Sequence, residues 1–286
     1  MRAVTRLGAL VLSATLLGGC GSFDLATVTG ADRSASPTST RPATTPDARM
    51  AQSDVDAKVG ADPHTVTRGD AMIVASSATS IPAGIVAAGE QAAAAVRELD
   101  RHASANPLLV VVPRDENEYT EYTGVKPGNQ LASTVTRTGT LPYVVVAPWT
   151  VRHANDVTAR ETLAHEAFHA LTLETMPQSR PLWLLEGWAE YVGQKLVPQA
   201  PHKRTDIRPH LPSDEELRGA NAADAYYVAF TFARFLRDTY GNDAVMAFYT
   251  DAVTTTTGME TLAQRHFHKG LTQLETDYDA WYPSFR

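Results

Sequence analysis

The sequence predicts an α+β fold in which a small N-terminal mixed or antiparallel sheet packs on a mainly helical lobe. Short apolar segments of strand length lie before Pro148, whereas the chain after it has almost wholly helical spacing. Strands that come first and helices that come second are typical of α+β domains. The 286 residues, 43% of them hydrophobic, suffice for the core of one large domain or two small ones.

The elements before Pro148 follow from apolar runs bounded by turn residues. Pro82 fits the first turn of an Ala-rich helix, and a turn at Thr138-Gly139 separates the last two strands. The predicted order is a strand at Ala71–Ala75, a helix at 81–101, a strand at 107–113, a short helix at 115–122 and strands at 131–136 and 141–147.

The elements after Pro148 are predicted from helical periodicity and helix-end signals. Asp156 can cap a helix that runs to about Glu174, and Pro181 opens the next helix. A polar loop at 198–211 follows, then helices at 214–218, 223–240 (ended by Gly241) and 242–252, and two short helices that reach Trp281.

The first 20 residues have the features of an export signal. Arg2 and Arg6 give a positive start, and residues 7–17 form a short apolar stretch. The following Leu-Gly-Gly-Cys resembles the lipobox of bacterial lipoproteins, which implies lipidation of Cys20 after cleavage. We therefore expect a lipid-anchored protein on the extracytoplasmic face of the cell membrane. The alternative is an ordinary secretory signal in which the cysteine is incidental.

Residues 21–64 are rich in Ser, Thr, Pro and Ala and predict a disordered tether, followed by one domain at 65–286. Cys20 is the only cysteine. The domain therefore has no disulfide, and any metal site in it must use His, Asp or Glu. The net charge of −7 gives no reason to expect nucleic acid as a partner.

The most informative motif is HEAFH, residues 165–169. Side chains four residues apart on a helix point to the same side, so His165 and His169 can reach one metal ion. Glu166 is turned about 100° away from His165. It can therefore act as general base on a metal-bound water, which is the chemistry of the zinc-hydrolase pattern HExxH.

A catalytic zinc normally needs a third protein ligand. On the next predicted helix Glu186 and Glu190 share one face, and Glu186 would complete a two-His, one-Glu set. Glu190 is placed to accept the outer N–H of His165, which would fix its tautomer. For Glu161, one turn before His165, we expect a solvated helix face rather than a role behind the ligands.

HEAFH followed by WLLEGWAEY resembles the gluzincin zinc metallopeptidases, in particular their peptidase-MA-like branch. The pattern of that family is HExxH and then a helix Trp-Leu-x-Glu-Gly-x-Ala-Glu-Tyr. The resemblance covers roughly residues 143–241 and implies a zincin-like lobe. It assigns zinc binding to His165, His169 and Glu186, the general base to Glu166 and the supporting contact to Glu190.

The resemblance also implies an oxyanion donor. In this family a tyrosine opens the helix that ends in Tyr-Gly, and the spacing here favours Tyr226 over Tyr227 as the matching residue. The alternative for Tyr226 is core packing with Phe230 and Ala233.

Substrate docking is a further expectation from the resemblance. An edge strand just before the metal helix pairs with extended substrate in gluzincins, which would be residues 141–147 here. The alternative is that these residues only fill the sheet.

Together these features predict a zinc-dependent peptidase tethered at the cell surface, with a peptide or protein substrate. The Gly-x-Met-Glu-Asn motif of zinc aminopeptidases does not precede HEAFH, which favours an endopeptidase. One alternative is a non-enzymatic binding or assembly lipoprotein that retains a structural zinc site. Another is a zinc hydrolase whose substrate is not a peptide.

Overall fold

A five-stranded mixed sheet forms the N-terminal part of the fold in the computed structural model. The structure describes residues 64–75, 80–128, 130–136, 141–173, 180–197 and 203–285. The strands are β1 (His64–Arg68), β2 (Ala71–Ala75), β3 (Leu108–Val112), β4 (Ala132–Val135) and β5 (Tyr143–Val146). Their order is β1-β2-β3-β5-β4, with β2, β3 and β5 parallel and the two outer strands antiparallel to their neighbours.

Helices account for most of the rest of the described chain. They are α1 (Ala83–Leu99), α2 (Glu116–Thr123), α3 (Pro148–Arg152), α4 (Val157–Thr172), α5 (Leu182–Lys195), α6 (Asp214–Arg218), α7 (Ala222–Tyr240), α8 (Asn242–Thr254), α9 (Met259–Phe267) and α10 (Leu271–Trp281), followed by a 3₁₀ turn at Tyr282–Ser284. The predicted α+β class, with strands first and a helical remainder, is confirmed. Among the described residues no helix is both long and apolar enough to cross a membrane.

The inner strands of the sheet are buried on both faces, which explains their continuous apolar sequences. Within β3, Val110 packs in the large core that also contains α1 and α4, whereas Val111 packs with Tyr119 and Tyr122 of α2 on the other face. Successive strand residues point to opposite faces, so every residue of the LLVVV run is buried.

Two elements of the fold were not predicted. All residues of β1 are exposed, and the strand is held by pairing with β2 and by the ion pair of Arg68 with Glu90 of α1. The five-residue helix α3 starts at Pro148 directly after β5 and is too short to show a period. Asp156 does stand at the N-cap of α4, but its side chain makes no capping hydrogen bond.

The expectation that residues 141–147 form an edge strand is wrong. Strand β5 lies inside the sheet between β3 and β4, and β4 is the edge strand. The burial pattern gives the reason: all four residues of β5 are buried, whereas Thr134 and Val135 of β4 are only half-buried. Helix α4 packs against both of these strands, so the sheet edge beside HEAFH is β4.

The predicted signal peptide, Cys20 and the predicted tether up to residue 63 lie outside the described residues. The first described residue, His64, already belongs to β1.

Candidate metal centre

The two histidines of HEAFH lie on one side of α4, as their spacing predicts. Their Nε2 atoms are 3.3 Å apart, and their ring centroids are separated by 5.0 Å at an interplanar angle of 77°. His169 has no exposed surface and His165 is 7% exposed. The buried face of α4 therefore directs two imidazole nitrogens at one point.

Helix α5 brings a carboxylate to the same point. Oε2 of Glu186 lies 3.2 Å from Nε2 of His165 and 3.5 Å from Nε2 of His169. One ligand atom from each of the three residues falls within 4.8 Å of the others. The predicted ligand set is therefore assembled in space, from two helices that pack directly against each other.

The chemistry of this set fits a bound cation. Glu186 is 1% exposed, and its buried Oε2 accepts no hydrogen bond from the described residues. Burial alone would raise the pKa of this carboxyl, but the adjacent rings of His169 and His165 outweigh burial and hold the pKa below its usual range. A buried, ionised carboxylate that faces two imidazole nitrogens is a donor set for a divalent metal.

Glu190 lies one helical turn beyond Glu186, behind His165. Its Oε1 is 3.1 Å from Nδ1 of His165. A proton on Nδ1 that is donated to this carboxylate leaves Nε2 with its lone pair directed at Glu186 and His169. The structure thus places Glu190 where the sequence predicted it.

Glu166 is next to the first ligand in sequence but points elsewhere. Its Oε2 lies 2.7 Å from the hydroxyl oxygen of Thr134, and its backbone oxygen lies 2.9 Å from the same hydroxyl. Thr134 belongs to the edge strand β4. The carboxylate is therefore held at the boundary between α4 and the open edge of the sheet.

The ring of Tyr226 lies beside His165, whereas Tyr227 contacts Arg204. The Tyr226 ring centroid is 6.4 Å from that of His165, and the residue is 7% exposed. The hydroxyl of Tyr227 instead accepts a hydrogen bond from the backbone N–H of Arg204. Tyr226 belongs to the large buried core together with Phe230 and Ala233, so the predicted core packing is confirmed, and its role as an oxyanion donor stays a prediction.

A close backbone contact fixes Tyr226 relative to Glu186. Helices α5 and α7 touch at Gly187, where a Cβ atom would lie 2.6 Å from the carbonyl oxygen of Ala229. Gly187 adjoins Glu186, and Ala229 is one turn beyond Tyr226. The glycine of the WLLEGWAEY segment is required because a neighbouring helix backbone occupies the space of a side chain.

The expectation of a solvated Glu161 is wrong. Glu161 is half-buried between α4 and α5, and its carboxylate accepts a hydrogen bond from the amide of Gln194. Burial and, to a smaller extent, the charge of Glu190 raise the pKa of Glu161 to about 7. The helix face looked solvated in sequence because its partner lies 33 residues away.

Thr134 is the contact that sequence reasoning missed. It lies 32 residues before Glu166, in a strand whose neighbours cannot be read from local periodicity. The only feature of the sequence that pointed to this contact was a threonine in a predicted strand shortly before the HEAFH helix.

Comparison of the chain with protein-family models, with curated proteins and with solved structures finds no match.

Proposed function

We propose that this protein is a zinc-dependent peptidase, held at the extracytoplasmic face of the cell membrane through Cys20. The observation that carries the proposal is the buried Oε2 of Glu186, 3.2 and 3.5 Å from the Nε2 atoms of His165 and His169. Two imidazoles and one carboxylate, with no thiolate, form the ligand set that zinc hydrolases use. When bound, zinc supplies Lewis acidity and lowers the pKa of its water.

Glu166 is the residue that we expect to move protons. Its carboxylate is 2.7 Å from the Thr134 hydroxyl, which fixes its orientation, and it follows the first histidine in sequence without belonging to the His165, His169 and Glu186 group. In this position it can take a proton from the attacking water and return that proton to the leaving amine nitrogen. A structural metal site has no need for a carboxylate held in this way.

Tyr226 supports the same reaction as a hydrogen-bond donor. Its ring flanks His165 at a centroid distance of 6.4 Å, on the helix that packs against α5. A phenol in this place can donate to the oxyanion that develops on the scissile carbonyl.

Strand β4 offers a docking edge for the substrate backbone. The N–H of Ala147 donates to the carbonyl oxygen of Leu131 at 2.9 Å, which sets the alternation of inward and outward peptide groups in the antiparallel pair. On this alternation the peptide groups of Ala132 and Thr134 point away from β5. No strand of the described chain lies beyond them. An extended peptide added at this edge passes Glu166, which favours cleavage within a chain.

The test is digestion of a peptide library by the purified full-length protein, with and without a zinc chelator. Cleavage that stops on chelation and returns with added zinc is the expected result. Glu166→Gln is the matched control, because it should keep the metal and lose nearly all hydrolysis. Zinc binding without any cleavage would instead identify a binding lipoprotein, and cleavage that ignores the chelator would rule out the metal mechanism.

A further inference from the structure

Arg204 connects the start of helix α7 to the C-terminal end of the fold. Its guanidinium donates to Asp224 at 2.7 Å and to Asp206 at 2.8 Å, and it lies over the ring of Tyr227 at 5.7 Å from the centroid. Its backbone N–H donates to the Tyr227 hydroxyl at 3.0 Å, and its carbonyl oxygen accepts from the Tyr282 hydroxyl at 2.7 Å. One residue therefore makes three separate contacts with the first turns of α7 and one with the C-terminal segment.

The start of α7 has no side-chain cap. The N-cap residue, Asn221, makes no side-chain capping hydrogen bond. The backbone N–H groups of Ala222 and Asp224 donate instead to the carbonyl oxygens of Gly219 and Asn221, so backbone turns and the contacts of Arg204 hold this end of the helix. Tyr226 is the fifth residue of α7, so fraying of the first turn would displace its ring.

The contacts of Arg204 bracket Tyr226 in sequence. Asp224 lies two residues before it and Tyr227 directly after it. On the C-terminal side of Tyr226, the close contact between Gly187 and Ala229 fixes α7 against α5. Tyr226, whose ring lies beside His165, falls between Asp224 and Ala229.

We propose that Arg204 is a positioning residue that keeps the Tyr226 ring beside His165, because its guanidinium holds Asp224 and Tyr227 in the first two turns of α7. This inference rests on the proposed peptidase function for its kinetic consequence. It does not rest on that function for its structural consequence, which is the order of residues 222–227.

The ion pairs themselves are exposed. The side chain of Arg204 is 37% exposed, and those of Asp206 and Asp224 are 67% and 53% exposed. Exposed ion pairs contribute little to global stability, so loss of Arg204 should not unfold the domain. Its effect should instead be local and catalytic, because a displacement of a donor by about 1 Å already slows an enzyme strongly.

The test compares Arg204→Ala with Arg204→Lys and with the control Arg234→Ala, each in the full-length protein. Arg234 also pairs with an aspartate, Asp238, on the same helix, but two turns beyond Tyr226. Each variant is measured for kcat and KM on a cleaved library peptide, in the wild-type background and with Tyr226→Phe. Hydrogen exchange of residues 222–227 is followed in parallel.

Arg204→Ala should lower kcat about tenfold with little change in KM, and should speed exchange of residues 222–227. Arg204→Lys should recover part of the loss, Arg234→Ala should change neither quantity, and Arg204→Ala should have no further effect once Tyr226 is phenylalanine. Equal losses of kcat with and without the Tyr226 hydroxyl, or unchanged exchange, would overturn the proposal. A wild-type protein that cleaves nothing would refute the peptidase function alone, and the exchange result would then decide whether Arg204 clamps the helix.

Discussion

The hydroxyl of Thr134 and the carboxylate of Glu166 are 2.7 Å apart, although the two residues are separated by 32 positions in the chain. This contact joins the edge strand β4 to the helix that carries both histidines. The Glu166 carboxylate is therefore oriented by the sheet, whereas His165, His169 and Glu186 are brought together by helices α4 and α5.

Replacement of Thr134 by valine should slow hydrolysis about tenfold, because an unsupported carboxylate loses its fixed orientation. Valine has nearly the same shape as threonine. Zinc binding should not change, because Thr134 is not one of the three proposed ligands. Steady-state kinetics and metal analysis of the same preparation measure both effects. Thr134→Ser, which restores the hydroxyl, should return most of the activity, and a valine variant with full activity would show that Thr134 does not orient Glu166.

The ligand residues and Glu190 should differ in their effect on metal content. His169→Ala removes a donor and should abolish stoichiometric zinc binding. Glu190→Gln leaves all three donors and should weaken affinity by about 10–100-fold, because a neutral amide replaces the charged carboxylate that lies 3.1 Å from Nδ1 of His165. Competition titration with a zinc-binding dye measures both affinities. Equal losses in the two variants would contradict the assignment of Glu190 to a supporting contact.

Gly187→Ala should destabilise the domain by about 1–3 kcal/mol, because the added Cβ would lie 2.6 Å from the carbonyl oxygen of Ala229. Helices α5 and α7 must separate to accept it, so activity should fall further than stability predicts. Denaturant unfolding and kinetics measure the two effects. Gly258→Ala is the matched control, since nothing lies within 4 Å of its added Cβ. Similar stabilities for the two variants would argue against the close helix contact.

Glu161 should make the stability of the metal-free protein depend on pH. Burial and the neighbouring Glu190 raise the pKa of Glu161 to about 7 from 4.5, so the folded state favours the protonated carboxyl. The contribution of Glu161 is fully present below pH 4.5 and is lost as the pH rises from there through about 7. The difference corresponds to at most about 3 kcal/mol.

Comparison of Glu161→Gln with the wild type isolates this effect. The groups that face Glu161 are Glu190, His165 and the Gln194 amide, and all of them remain in the variant. Denaturant unfolding at pH 4.5 and pH 8, with chelator present, should show that the variant gains stability relative to the wild type as the pH rises. Glu98→Gln, at an exposed carboxylate, serves as control. Parallel pH profiles for wild type and Glu161→Gln would contradict the raised pKa.

The ligand set could be predicted from sequence because the spacing of two residues on a helix determines whether their side chains point to the same side. His165 and His169, and likewise Glu186 and Glu190, lie four residues apart, so each pair had to share a face. The strand order could not be predicted in the same way. Whether β4 or β5 lies at the edge depends on which strands pair with each other. The sequences of short apolar strands do not reveal their pairing partners.

The contacts between elements escaped prediction for a similar reason. Thr134 reaches Glu166, and Gln194 reaches Glu161, only after β4, α4 and α5 have packed. Residues far apart in sequence meet there through tertiary structure, and neither pair follows a period. Strand β1 has no buried residue at all, so its sequence carries no apolar signal.

The outward peptide groups of Ala132 and Thr134 place a conformational condition on any substrate that docks at β4. Main-chain pairing does not depend on the side chains of the substrate. It does require that the backbone N–H and C=O groups of the incoming segment are unpaired. Helices and the inner strands of sheets in folded proteins do not meet that condition until they open locally. On the proposed function, the rate at which a folded protein is cut would follow the free energy of its local unfolding, and loops and unfolded chains would be cut first.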